Sequence, residues 1–216
     1  MVNEFMPQIH EVNDEYIVDI ATDFIKKGKI ICFPTETVYA LSCSAYNLKA
    51  IEKIYQIKKR DSAKALSILC ADISQIEEIS YLSEHALKLA NEFFPGPITL
   101  VLKSKGILPA IINEGLGTIG VRVPSNKFAL ELLDKTGPLI GTSVNISSEP
   151  SAISVGSISK EILDKLDLII DGGETEFQYG STIIDMTEDE PKILREGVIK
   201  EEEIFKELHR KIISEL

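Results

Sequence analysis

No apolar stretch in this sequence approaches the roughly 18 residues that a membrane helix needs. Its opening, "MVNEFMPQIHEV", has neither the basic nor the apolar region of a secretory signal. A cytoplasmic protein with no membrane contact is expected. Cysteine is scarce: Cys32, Cys43 and Cys70 form no C-x-x-C pair and sit among apolar or small residues, which suits reduced, packed thiols. Histidine is equally scarce, and His10, His85 and His209 have no metal-ligand spacing, so no metal centre is expected. There is no G-x-S-x-G, no H-E-x-x-H and no Walker G-x-x-x-x-G-K. Positive charge is in deficit, with 23 Lys and Arg against 34 Asp and Glu and a net charge of −11. That argues against an extended nucleic-acid surface, which needs dense Lys and Arg. It leaves room for one local cationic pocket and a weak RNA contact there.

One motif that is present misleads. "GLGTIG", Gly115 to Gly120, matches the dinucleotide fingerprint letter for letter, but that fingerprint works only where its glycines open a helix. Here "VRVPSN" follows; Val121 and Val123 continue a strand and Pro124 forbids a helix. The glycines are read as a turn.

A chain of 216 residues with 44% apolar content can bury a sizeable core, and one domain over residues 1–216 is expected. Helical periodicity over "DEYIVDIATDFIKK" predicts an amphipathic helix over 14–27, with Asn13 as cap and Gly28 past its end. A strand at 30–33, a helix from Leu48 capped by Asn47, a strand at 65–69 and a helix over about 83–93 follow. "PITLVLK", "TIGVRV", "PLIGTS" and "DLIID" read as strands, with a helix over "NKFALELLDK" and another before "DLIID". "STIIDM" and "KILRE", joined by an acidic turn, suggest a hairpin, and a last helix begins near Lys200. This alternation implies an α/β architecture with a sheet of mixed direction.

Several polar clusters interrupt it. In "IICFPTETVYAL" the strand ends at Pro34, which cannot donate to a sheet ladder, and Thr-Glu-Thr sits at the strand end. Thr35 and Thr37 either satisfy loose backbone groups of a turn or serve a site. "IKKRDSAK" gathers Lys58, Lys59, Arg60 and Lys64 at a helix end, where cations also suit the helix dipole. Alternation in "GVRVP" turns Arg122 away from Val121 and Val123, either to solvent or to a ligand. "GTSVNISSEPS" supplies Ser143, Asn145 and Ser151, and "ILREG" supplies Arg195. Together they present guanidinium, ammonium, hydroxyl and amide groups with no nucleophile and no imidazole. That inventory binds anions such as a triphosphate or a carboxylate. Phosphoryl-type transfer asks for little else than positioning and charge neutralisation.

The blocks "FPTETVYAL", "IYQIKKRDSAKALSIL", "FFPGPITLVL", "GTIGVRVP", "GTSVNISSEPS", "GGETEFQYGSTIIDM" and "ILREGVI" resemble, in order, the YrdC-like or L-threonylcarbamoyl-AMP synthase family. The resemblance implies an α/β fold, a twisted mixed sheet flanked by helices with a deep cationic cleft. It implies that L-threonine, bicarbonate and ATP, with Mg, form threonylcarbamoyl-AMP and pyrophosphate. The product then passes to partner proteins that modify an adenosine beside the tRNA anticodon. Matched residue by residue, the catalytic lysine-x-arginine and serine-x-asparagine pairs fall on Lys58, Arg60, Ser143 and Asn145. ATP contacts fall on Arg60, Lys64, Thr118, Ser143, Asn145, Ser151 and Arg195, and threonine contacts on Thr35, Arg122 and Ser181. The family usually has Gly at Ala40 and Pro at Asp61 and Ala65, so a looser loop between Arg60 and Leu66 is expected. A non-catalytic RNA- or nucleotide-binding YrdC-like paralogue is the alternative reading.

Overall fold

The computed structural model describes residues 7–61, 64–188 and 190–209. The start of the stretch read for a secretory signal, the centre of the 60–66 loop and one residue of the acidic turn lie outside the described residues. In chain order the elements are β1 (Gln8–Glu11), α1 (Ile17–Lys26), β2 (Ile31–Phe33), β3 (Ala40–Ser42), α2 (Leu48–Lys58), β4 (Ser67–Leu69) and α3 (Ile73–Ile79). Then come β5 (Ser80–Tyr81), α4 (Glu84–Phe93), β6 (Ile98–Ser104), β7 (Thr118–Arg122), α5 (Lys127–Thr136) and β8 (Leu139–Ser143). The chain closes with α6 (Lys160–Leu163), β9 (Leu168–Asp171), β10 (Thr182–Asp185), β11 (Lys192–Arg195) and α7 (Glu201–His209).

The helix ends follow their side chains. Asn47, Ser83 and Asn126 each accept a backbone N–H of the first turn they cap. The first helix departs from expectation: it begins at Ile17, three residues late, because Tyr16 takes a left-handed conformation and Asn13 caps nothing. Gly28, at φ 71°, closes it as expected.

Among the described residues the strands form one mixed sheet in the order β1-β9-β2-β3-β8-β4-β7-β6-β10-β11, with β5 beside β6. β10 and β11 make the expected antiparallel hairpin. Strand β3 pairs with β2 in the register Phe33↔Ala40, so the polar turn at 34–39 is the link between two buried strands. Cys32, Cys43 and Cys70 are free and buried, and burial pushes the Cys43 thiol up to about 12.

The two sheet faces are covered unequally. One carries Cys32, Leu41, Ile68, Leu100, Val121 and Ile140, packed under residues of α2, α3, α4 and α7. On the other, α1 and α5 cover Ile31, Phe33, Ala40, Leu69, Leu139 and Leu168. That second face continues past Leu69. Register places Ser67 opposite both Gly141 and Gly120, and Gly120 opposite Val101. These four residues are half-buried and belong to neither core cluster. The second face is therefore half covered by helices and half floored by small residues.

Leu69 marks the boundary. A Cβ on Gly141 would lie 2.3 Å from Leu69 Cγ, whose side chain is 3% exposed. Gly141→Ala should cost about 1–3 kcal/mol in urea denaturation, the usual penalty for overpacking. Unchanged stability would show that Leu69 is not held where the structure has it.

Candidate active site

Site residues arise where strands end on the half-open face. The carboxyl end of α2 delivers Lys58, which is 1% exposed. Its Nζ donates to Asn145 O and Asn145 Oδ1, both at 2.9 Å, and to Ser143 O. Ser143 Oγ donates to the same Asn145 Oδ1 at 2.5 Å, and Asn145 Nδ2 donates to Glu149 O at 2.6 Å. Lys58, from one pair of the sequence reading, thus meets Ser143 and Asn145, the other pair, in one network that fixes the turn after β8. Lys58 is spent on protein oxygens, so it acts as a brace. Burial, then the charge of Arg60, pushes Lys58 down to about 7, while three oxygen acceptors favour its ammonium form.

Arg60 also turns inward on its own loop. Its Nε donates to Lys64 O at 2.9 Å and its Nη2 to Ala65 O at 2.8 Å, so its guanidinium is held by main-chain carbonyls on the far side of that loop. Lys64 is exposed beside it, and Lys59 instead forms an exposed ion pair with Glu161 at 2.8 Å.

A second group sits where β7, β6 and β10 meet. Arg195 donates to Ser181 O at 2.8 Å through Nη2 and approaches Ser181 Oγ at 3.4 Å. Ser181 Oγ in turn lies 2.8 Å from Thr99 Oγ1. Burial holds Arg195 below the usual arginine range, and the charges of Arg122 and Arg60 push the same way. The charges of Arg60 and Arg122, distant in sequence, are thus both felt at Arg195.

Arg122 is not on a solvated face. It is 7% exposed, its Nε donates to Gly96 O at 3.2 Å, and its Nη2 lies 2.6 Å from Glu36 Oε1. Glu36, at the centre of the Thr-Glu-Thr triad, was missed by sequence reasoning. The only signal in the sequence was an acidic residue in a short polar turn between two apolar runs. The Thr35 hydroxyl donates to Val38 O at 2.7 Å and lies 2.9 Å from Thr37 Oγ1, so it helps to hold the turn. Thr118 and Ser151 are half-buried, and among the described residues their side chains make no hydrogen bond to the two groups described here. In "GLGTIG", Gly115 and Gly117 have positive φ and lead into β7 rather than a helix.

With this geometry in view, the comparisons with known proteins are specific. The Sua5/YciO/YrdC family model, described as telomere recombination, matches residues 23–197, and the chain belongs to that family. It is 40% identical over 200 residues to a threonylcarbamoyl-AMP synthase of Pyrococcus abyssi, covering 92% of this chain and 59% of that protein. The chain thus spans well under two thirds of that relative's length. The structure of P. abyssi Sua5 complexed with L-threonine aligns with a TM-score of 0.88 and 38% identity, over 94% of this chain and 60% of that one. Escherichia coli YciO aligns with a TM-score of 0.80 and 31% identity, over 91% and 96% of the respective chains.

The Lys58 brace has a pH signature. With the buried amine titrating near 7 and the unfolded one near 10.5, the unfolded state binds more protons between those values, so this group adds stability as pH rises through that window and loses it as pH falls. The stability of the wild type relative to Lys58→Met should therefore rise from pH 7 to pH 9 in urea denaturation. A pH-independent difference would mean that Lys58 keeps an ordinary pKa.

Proposed function

We propose that this chain joins L-threonine, bicarbonate and Mg-ATP into threonylcarbamoyl-AMP, releasing pyrophosphate, and works in the cytoplasm. The observation that carries this reading is the bond between Arg195 and Ser181, with Arg122 and Arg60 acting on the same guanidinium. It joins residues expected on the nucleotide to residues expected on the amino acid. A carbamate formed from threonine and bicarbonate would attack the α-phosphate itself, so the site needs no side-chain nucleophile. In this reading Arg60, Lys64, Thr118, Ser143, Asn145, Ser151 and Arg195 hold the nucleotide, with Lys58 bracing Ser143 and Asn145. Thr35, Arg122 and Ser181 form the amino-acid side. The product would pass to proteins that modify an adenosine in tRNA.

The reading is tested by pyrophosphate release from Mg-ATP, which should require threonine and bicarbonate together. Turnover that ignores threonine would contradict it. ATP binding without any pyrophosphate release would mark the chain as a non-catalytic nucleotide-binding paralogue. Within the same assay Lys58→Ala and Arg60→Ala should each lose roughly 1.5–3 kcal/mol of transition-state stabilisation, the scale of a charged hydrogen bond. Lys59→Ala, which removes only an exposed ion pair, should change little. Equal losses at all three positions would deny Lys58 and Arg60 any role that Lys59 lacks.

A further inference from the structure

Two buried carboxylates in this protein are satisfied very differently. Asp167, 6% exposed, accepts the N–H of Ile30 at 2.9 Å and has Lys29 Nζ at 3.1 Å and Lys53 Nζ at 3.5 Å. Glu36 has a side chain only 2% exposed, yet neither of its oxygens accepts a hydrogen bond among the described residues. Its contact with Arg122 Nη2 is at 2.6 Å, but that nitrogen too is buried without a well-aligned hydrogen bond. The turn does not need this carboxylate: the Thr35 hydroxyl already satisfies it, and the Glu36 backbone carbonyl is taken by Phe177 N at 2.9 Å. A dry, under-bonded carboxylate is expensive, and stability alone would favour an apolar residue or a better-paired one.

What surrounds Glu36 says what the charge is for. Arg122 is anchored through Nε to Gly96 O and through Nη2 to Glu36, so its plane is fixed on the half-open face. Arg195 carries a second positive charge within reach of Arg122, and among the described residues Arg195 has no carboxylate partner. A simple anion would bind well to two guanidinium groups. An α-amino acid would not: its ammonium lies one carbon from the carboxylate and would be repelled by both. A negative charge directly behind Arg122 cancels that repulsion. It also reduces the appeal of the site to ligands that carry a carboxylate and no ammonium.

We propose that Glu36 is a specificity-determining residue, the acidic half of a zwitterion receptor: it positions Arg122 for the carboxylate of an α-amino acid and supplies the negative charge that its ammonium requires. This rests on the amino-acid reading of the site given above. Glu36 need not touch the ligand; sealed behind Arg122, it acts through the guanidinium and through its field.

Calorimetric titration with two ligands tests it: L-threonine, and (R)-3-hydroxybutyrate, which has the same skeleton and hydroxyl without the ammonium. The wild type should prefer threonine at least tenfold. Glu36→Gln should lose tenfold or more in threonine affinity while its affinity for 3-hydroxybutyrate stays level or rises, so that the preference collapses. Glu36→Asp keeps the charge and should keep the preference; it decides the question if the Gln variant does not fold. Equal weakening of both ligands by Glu36→Gln, unchanged threonine affinity, or collapse of the preference in a folded Asp variant would each overturn the inference alone. A wild type that binds neither ligand would overturn the amino-acid reading, and this inference with it.

Discussion

A sheet face that receives helices over only half its width obliges the sequence to do something unusual with the other half. Up to Leu69 the second face is apolar and lies under α1 and α5. Beyond it, Ser67, Gly120 and Gly141 lie side by side in register, and the residues at the margins are Ser143, Thr118, Arg122 and Arg195. Large apolar side chains there would be stranded in water, and large polar ones would fill the space. Small residues with cations at the rim are what an open floor for an anion requires.

Cations at such a rim must be held without being neutralised. Four of them are tied to protein oxygens: Lys58 to the turn after β8, Arg60 to the carbonyls of Lys64 and Ala65, Arg195 to Ser181, and Arg122 to Gly96 and Glu36. Carbonyl oxygens orient a charge while leaving it uncancelled, and Arg122 is held by a carboxylate as well. Binding to such a site does not have to bear the entropy of ordering flexible arginines, which is how pre-organisation raises affinity. A net charge of −11 is compatible with this because the positive charge that matters is local.

Much of this was legible in the sequence, for identifiable reasons. Asn47, Ser83 and Asn126 announce their helices through capping chemistry, and alternation in "GVRVP" sets Arg122 opposite to Val121 and Val123. Strand β3 was not legible, because three residues after a polar turn carry no period. Nor was the late start of α1, which depends on the left-handed backbone of Tyr16. Within the site, residue types marked Lys58, Arg60 and Arg195, but their partners could not be read: main-chain carbonyls have no signature in a sequence. Glu36 escaped for a related reason. A buried acid is recognisable only once its burial is known, and the surrounding Pro-Thr-x-Thr offers an ordinary turn as a sufficient explanation.

The account rests on the proposal that the uncovered half of the sheet is the floor on which the nucleotide would lie. Gly120 stands in the middle of that floor, half-buried, and a Cβ there would meet nothing closer than Ser67 Oγ at 3.4 Å and Thr99 Cγ2 at 3.5 Å, ordinary van der Waals contacts that leave the backbone in place. The direct measurement is ATP affinity by calorimetry for the wild type and Gly120→Leu, with thermal melts to confirm that both are folded. The structure predicts a folded variant with ATP affinity reduced at least tenfold; a folded variant that binds ATP as the wild type does would contradict it.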